Sequence, residues 1–363
     1  PVLKLTVCYR NPGKASHCRR SVASKSHGGL KMLQYIGRRL LTLIPLLFVV
    51  SVITFIIIEL PPGDYVTRYI NDLEMKGMKI TDEDVVRLRA MYDLDKSLPM
   101  RYISWITKII TKGDFGRSFQ YNRPVSELIW ERLGLTLAIA VTTMVFTYTV
   151  AIIIGIYSAV KPNTLFDYTF TFFGFVGVSI PGFLLAMIAM WFSYSKLGVS
   201  ITGLFSPEYA DAPWSIAKLV NMLERIWVPV LIIGLSGTAS IIRIMRSGLL
   251  DEIKKQYVIT ARAKGVKEIK LLLKYPVRVA LNPIISTVGW ILPSVISGQS
   301  VVAIVLNLPT TGPLLLNALL NQDMDMAASF ILMLSALTIV GTVLSDILLA
   351  FLDPRIRFKG ISK

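Results

Sequence analysis

Six times along this chain a run of twenty or so apolar residues, nearly free of charge, is closed by a short polar segment; the runs fall at residues 40–60, 133–160, 168–194, 226–245, 284–306 and 327–352. A helix of about 20 apolar residues crosses the roughly 30 Å hydrocarbon core of a bilayer. Lipid offers no hydrogen bonds, so a spanning segment must satisfy its own backbone, as a helix does. The pattern therefore predicts an all-α, polytopic membrane protein with six transmembrane helices. Composition agrees, since 53% hydrophobic and 17% charged residues over 363 positions is too apolar for a soluble domain of this size.

A formal charge of +16 raises nucleic acid as a partner, so where the charge lies decides its meaning. Residues 1–39 carry +9, residues 243–278 carry +7 and residues 353–363 carry +3, while the rest of the chain is slightly acidic. Basic clusters at alternate loops follow the positive-inside rule. The sequence thus places both termini and the loop between the fourth and fifth runs in the cytoplasm, with the lipid bilayer as partner and no role for nucleic acid. Both cysteines, Cys8 and Cys18, and both histidines, His17 and His27, precede the first run. They suggest no metal site and no disulfide framework.

The chain divides accordingly. Residues 1–31 lack periodicity and read as a disordered basic tail, an added leader or an upstream mis-start. Residues 32–60 hold the first transmembrane helix. Residues 61–132, with 12 basic and 11 acidic side chains, read as a small extracytoplasmic domain, in which Thr81 caps a helix running to about Tyr92. Residues 133–358 form a five-helix core, and 359–363 a tail. In the third run, Ser179-Ile180-Pro181-Gly182 interrupts the apolar pattern, either as a kink or beside a pathway. In the fifth, Gln299 and Ser300 need partners in hydrocarbon, either as glue between helices or as pathway lining. In the sixth, Asp346 near the cytoplasmic end is expected to pair with Arg243 or Arg246 of the fourth. Small residues Gly234, Ser236, Gly237, Ala239 and Ser240 favour close helix packing there.

The longest cytoplasmic loop, residues 250–282, carries the most distinctive stretch. From 257 to 283 it reads YVITARAKGVKEIKLLLKYPVRVALNP. Val258, Ala261, Gly265, Ile269, Leu272 and Leu273 recur at spacings of three and four, with Arg262, Lys264, Lys267 and Lys270 mostly between them, as on a one-sided surface helix. Gly265 divides it into two short helices. A basic amphipathic helix lying on anionic lipid accounts for the same pattern.

Read with its neighbours, the stretch resembles the coupling loop of ABC importer permeases of the dipeptide, oligopeptide and nickel type. TARAKG at 260–265 is similar to that branch's form of the EAA motif, with Thr260 at the usual glutamate. PPGD at 61–64, YDLDKSLPMRYISW at 92–105, GDFGRSF at 113–119, the SIP signature at 179–183 and DPRIRF at 353–358 resemble further family motifs in the expected order. Two departures are Tyr65, where a second proline is usual, and LPTTG at 308–312, where LPGLG is usual.

The resemblance implies a permease subunit that pairs with a second homologous permease, two ATPase subunits and an extracytoplasmic substrate-binding protein. It implies short peptides as cargo, with oligosaccharides or nickel as alternatives. Tyr257, Ala261, Arg262, Ala263, Lys264, Gly265, Val266 and Lys267 would meet the ATPase, and Ser179, Pro181, Gln299 and Ser300 would border the pathway. No catalytic residue and no metal ligand is expected, and no cofactor on this chain. It contains no Gly-Lys-Ser or Gly-Lys-Thr phosphate loop, so ATP and magnesium would be held by the partner ATPases. An ion-coupled secondary carrier is disfavoured, because the two halves are dissimilar and only one loop is amphipathic.

Overall fold

The computed structural model of this protein describes residues 26–59, 70, 81–91, 95–118 and 120–352. The PPGD and DPRIRF motifs and most of the leader expected at residues 1–31 lie outside them. Among the described residues all regular structure is helical, apart from one antiparallel bridge between Arg117 and Pro124. In chain order the helices are α1 (Ser26–Glu59), α2 (Asp82–Met91), α3 (Leu98–Lys112), α4 (Val125–Val160), α5 (Leu165–Ser179), α6 (Gly182–Leu197) and α7 (Pro207–Ala210). They continue as α8 (Ile216–Ile253), α9 (Gln256–Ala263), α10 (Glu268–Lys274), α11 (Pro276–Ser286), α12 (Val288–Val305), α13 (Thr311–Leu320) and α14 (Met324–Leu352).

The bundle is built on the pairing of α4 with α8, helices of 36 and 38 residues. On α4, Thr136, Ala140, Thr143, Thr147, Ala151 and Gly155 recur at three and four and are all buried. Such a stripe lets two backbones approach, which is how membrane helices gain packing when lipid is as apolar as leucine. The approach is close: a Cβ on Gly155 would lie 2.6 Å from Met245 Cβ, and one on Gly234 would lie 2.9 Å from Phe146. Two of the small residues expected to favour close packing on the fourth run, Gly234 and Ala239, do so within this chain. Gly234 faces α4, and Ala239 faces Gly174 of α5. Around this pair, α12 touches α4, α6, α8, α13 and α14, while α14 lies along α1 and α12.

Three described helices, α4, α8 and the Met324–Ile347 part of α14, are long and apolar enough to cross a membrane. The pair α5 and α6 makes a fourth if counted as one. The described helices therefore account for three or four of the six expected crossings. The apolar stretch of α1, Leu41–Ile57, is shorter, and the fifth run is divided at Thr287 between α11 and α12.

The third run, expected as a single span over 168–194, is instead two helices bent by 103°. The cause is local. Pro181 has no N–H to continue the ladder and disfavours a helical residue before it, so Ile180 is extended (φ −93°, ψ 122°). The break leaves carbonyls open, and the Ser236 hydroxyl of α8 donates to that of Gly177 at 3.1 Å.

Among the described residues between the first two runs, α3 and the segment after it pack against the bundle. Trp105 of α3, Val125, Leu128 and Ile129 of α4, Leu314 and Ala318 of α13 and Phe330 of α14 share one buried cluster. The GDFGRSF segment is fastened to α14: Ser118 Oγ donates to Asp323 at 2.5 Å and Ser329 Oγ donates to the Phe115 carbonyl at 3.0 Å. Gly116 takes φ +85°, and a Cβ there would fall 2.4 Å from the Asp325 carboxylate. On the other side α3 leans on α1, where Arg101 clasps Glu59 with two bonds of 2.8 and 2.7 Å and the Tyr102 and Ser51 hydroxyls bond at 2.7 Å.

The α4–α8 contact gives a direct test. Gly155→Leu is expected to lower the stability of the purified chain by about 1–3 kcal/mol, as overpacking does. Gly134→Ala, on the same helix with nothing within 4 Å of its Cβ, is expected to be neutral or slightly stabilising in the same thermal unfolding assay.

Candidate coupling site

The loop of residues 250–282 folds as a hairpin of two short helices between the end of α8 and the start of α11. At its root, Glu252 in the last turn of α8 is buried and accepts bonds from Lys255 Nζ and the Tyr257 hydroxyl. Burial first, and then the Glu252 carboxylate, push Tyr257 up to about 12, so its hydroxyl keeps its proton and donates at any physiological pH. α9 and α10 close over a small core of Val258, Ala261 and Leu271, with Val266 and Tyr275 against it. From Tyr275 the chain enters α11, whose Val277, Ala280 and Ile284 are buried with Ile241, Met245 and Leu249 of α8. The hairpin is thus tied to α8 at one end and, through α11, to the same helix at the other.

Between the two short helices Gly265 has φ +76°. A Cβ there would meet nothing within 4 Å, so the position needs glycine for its backbone and not for room. It also resets the helical phase, which corrects the one-sided stripe expected from the sequence. Val258 and Ala261 face inward as expected, but on α10 the inward residue is Leu271, whereas Ile269 and Leu273 are 74% and 58% exposed. These two apolar side chains lie among Lys267, Glu268, Lys270 and Lys274, lining a broad open basin of about 720 Å³. Arg262, Ala263, Lys264 and Lys267 are exposed, and Val266 is half-buried. Arg262 is held by Glu268 through Nε at 3.1 Å and Nη2 at 2.5 Å. Those bonds lower the Glu268 carboxyl below its ordinary value and raise Arg262, fixing the angle between α9 and α10.

The other expected site residues are scattered. Ser179 and Pro181 stand at the α5–α6 break, where the Ser179 hydroxyl donates back to Phe175 at 2.8 Å. Gln299 is 2% exposed in α12, and neither its amide oxygen nor its nitrogen has a partner among the described residues. Ser300 beside it lies under Gly312 of α13, where a Cβ would be 2.7 Å from the Ser300 Cα. α6 begins against Val302, three residues beyond Gln299, with a Gly182 Cβ 3.4 Å from it.

The ion pair expected for Arg246 with Asp346 is corrected. Arg246 bonds Asp167 of α5 through Nε and Nη2, both at 2.8 Å, and Arg243 lies over the Phe175 ring at 5.0 Å. Both arginines are on the side of α8 that faces α5, whereas α14 lies along α1 and α12. Asp167 is not among the sequence-predicted site residues, because spacing along the chain does not show that α5 lies beside α8. Its signal was Thr164 three residues earlier, a helix cap whose hydroxyl accepts from the Asp167 N–H at 3.4 Å.

The hairpin thus presents exposed basic and apolar groups and is anchored to α8 directly and through α11. Comparison with known proteins identifies the class. Residues 151–358 match the family model described as the inner membrane component of binding-protein-dependent transport systems, and residues 32–140 match its amino-terminal companion. This chain belongs to that family. It is similar to a putative peptide permease protein of Brucella suis, 32% identical over 90% of this chain and 99% of the relative. It is also similar to the oligopeptide transport system permease AppB of Bacillus subtilis, 32% identical over 90% of this chain and all of the relative. OppB of Haemophilus influenzae is 28% identical over the same shares. The chain is accordingly a multi-pass permease subunit of an ABC importer in the inner membrane, a transport component and not an enzyme.

Tyr257→Phe removes one of the donors holding the buried Glu252 carboxylate. The expected loss is about 1–2 kcal/mol of stability, as for a partly exposed bond to a charged group, measured by thermal unfolding of the purified chain.

Proposed function

We propose that this subunit forms half of the translocation pathway for short peptides, delivered by an extracytoplasmic substrate-binding protein and driven by two separate ATPase subunits that hold ATP and magnesium. A second, homologous permease completes the pathway. In this reading the chain crosses the membrane six times with both termini in the cytoplasm, residues 61–132 belong to the outer side, and the α9–α10 hairpin docks in a cleft of an ATPase. The names of the peptide and oligopeptide relatives support the cargo.

The observation that carries the coupling role is the pair of uncovered apolar side chains, Ile269 and Leu273, on a basic hairpin rooted in α8 and α11. Apolar groups left bare among charges mark a surface meant for a partner. Ala263, exposed on α9, is small enough to let that helix enter a cleft, Ala261 lets α9 and α10 close on each other, and Lys264 and Lys267 steer the approach. Closure of the ATPases on ATP then pushes the hairpin, and α8 and α11 carry the displacement into the bundle, turning the cavity from one side to the other.

The test is ATPase activity of the assembled transporter in lipid vesicles, with and without binding protein loaded with a defined peptide. Stimulation by the loaded binding protein is expected. Gly265→Asp, which strains the φ +76° turn and puts a carboxylate at its tip, is expected to abolish uptake while the chain stays in the membrane; unchanged uptake rejects the coupling assignment.

Gln299 supports a place beside the pathway, since a buried amide without partners among the described residues is expensive and is expected to find them in another conformation or in the second permease. Gln299→Leu is expected to stabilise the isolated chain by about 1–3 kcal/mol, the cost of leaving such a group unpaired, and to slow peptide uptake. A variant that loses stability instead assigns Gln299 to packing.

A further inference from the structure

Where α5 crosses α8 the two helices part to leave a groove of about 90 Å³, lined by Phe170, Thr171, Gly174, Phe175, Arg243 and Arg246. Its floor is the close approach of Gly174 to Ala239, a Cβ on the glycine lying 3.3 Å from the alanine Cβ. Its two arginines are not equivalent. Arg246 is neutralised by two bonds to Asp167, itself only 2% exposed. Arg243 is exposed, stacks on Phe175, and its guanidinium makes no hydrogen bond or ion pair among the described residues. The groove therefore carries one uncompensated positive charge.

Its depth is also defined. Arg243 follows the apolar part of α8 that ends at Ile242, the level at which a spanning helix passes from hydrocarbon to headgroups. At that level a guanidinium reaches the headgroups, and an anionic one is the complementary partner there. Along the same face of α5, Thr171, Phe175 and Val178 are exposed at spacings of four and three, the last two apolar.

We infer that this groove binds one anionic phospholipid, its phosphate on Arg243 and an acyl chain along Thr171, Phe175 and Val178. Basic recesses between helices at the edge of the membrane recognise such headgroups. The unpaired charge matches a single net negative headgroup, so phosphatidylglycerol is favoured over phosphatidylcholine, whose own cation competes with Arg243. The topology proposed above enters only in naming the leaflet, the cytoplasmic one.

The probe is the assembled transporter in detergent, analysed by native mass spectrometry after addition of phosphatidylglycerol, phosphatidylcholine or inorganic phosphate. One retained phosphatidylglycerol per copy of this chain is expected, with phosphatidylcholine retained less. Arg243→Gln should weaken retention about fivefold, the worth of one cationic side chain near an anionic lipid, and Arg243→Lys should keep most of it. Thr171→Trp fills the groove with every charge in place, and should weaken retention as much. Equal retention of the two lipids, or no change in both Arg243→Gln and Thr171→Trp, overturns the inference. So does displacement of the lipid by millimolar inorganic phosphate, or absence of any retained lipid because the second permease covers this face. Lipid retention does not depend on ATP hydrolysis, so such a failure leaves the coupling role standing, and loss of coupling leaves this one.

Discussion

Hydrocarbon accepts no hydrogen bonds, and that refusal shapes nearly every polar contact in this bundle. Three threonines of α4, Thr136, Thr143 and Thr147, are buried between helices. Thr136 donates back to Arg132 at 2.8 Å and its hydroxyl accepts from the Thr311 N–H at 3.0 Å. Thr147 donates to the Gly234 carbonyl at 3.4 Å, where the glycine lets the two long helices approach. The α5–α6 break survives because Ser236 answers the Gly177 carbonyl. Even the charged pair Arg246–Asp167 sits where the apolar part of α8 ends, joining α8 to the first turn of α5. Specific packing in such a medium comes from closeness, and glycine and threonine supply it.

Much of this was legible in the sequence. Apolar runs gave the helical class, and small residues on the fourth run announced the close contact that Gly234 and Ala239 make. TARAKG and its glycine marked two short helices, and the structure has α9 and α10 on either side of Gly265. What was not legible depends on geometry that one-dimensional spacing does not hold. A left-handed residue rotates everything after it, so Ile269 and Leu273 turned outward while Leu271 turned in. A proline in a long apolar run reads as a kink of unknown size, and here the bend is 103°. The choice of Asp167 over Asp346 for Arg246 was decided by which helices are neighbours, and charge type alone does not contain that.

The coupling hairpin and the bundle meet at Glu252 and at the α11 contact, and both places are rigid for identifiable reasons. Glu252 is buried with Lys255 and Tyr257 as donors, and Val277, Ala280 and Ile284 are interleaved with α8. α8 in turn has its longest contact with α4, where Gly155 lies against Met245.

The bond between Ser118 and Asp323 joins residues 205 positions apart, and both are buried. Made at about 5–20 residues per second, the chain exposes its GDFGRSF segment on the order of ten to forty seconds before Asp323 exists. Until then Ser118 has no carboxylate to meet, and Gly116 has no Asp325 to lie against. The cap over the α3, α13 and α14 cluster is consequently a late event in synthesis, sealed only once the last helix arrives, and a truncated chain lacking α14 is left with an open, sticky seam that quality-control proteases can find.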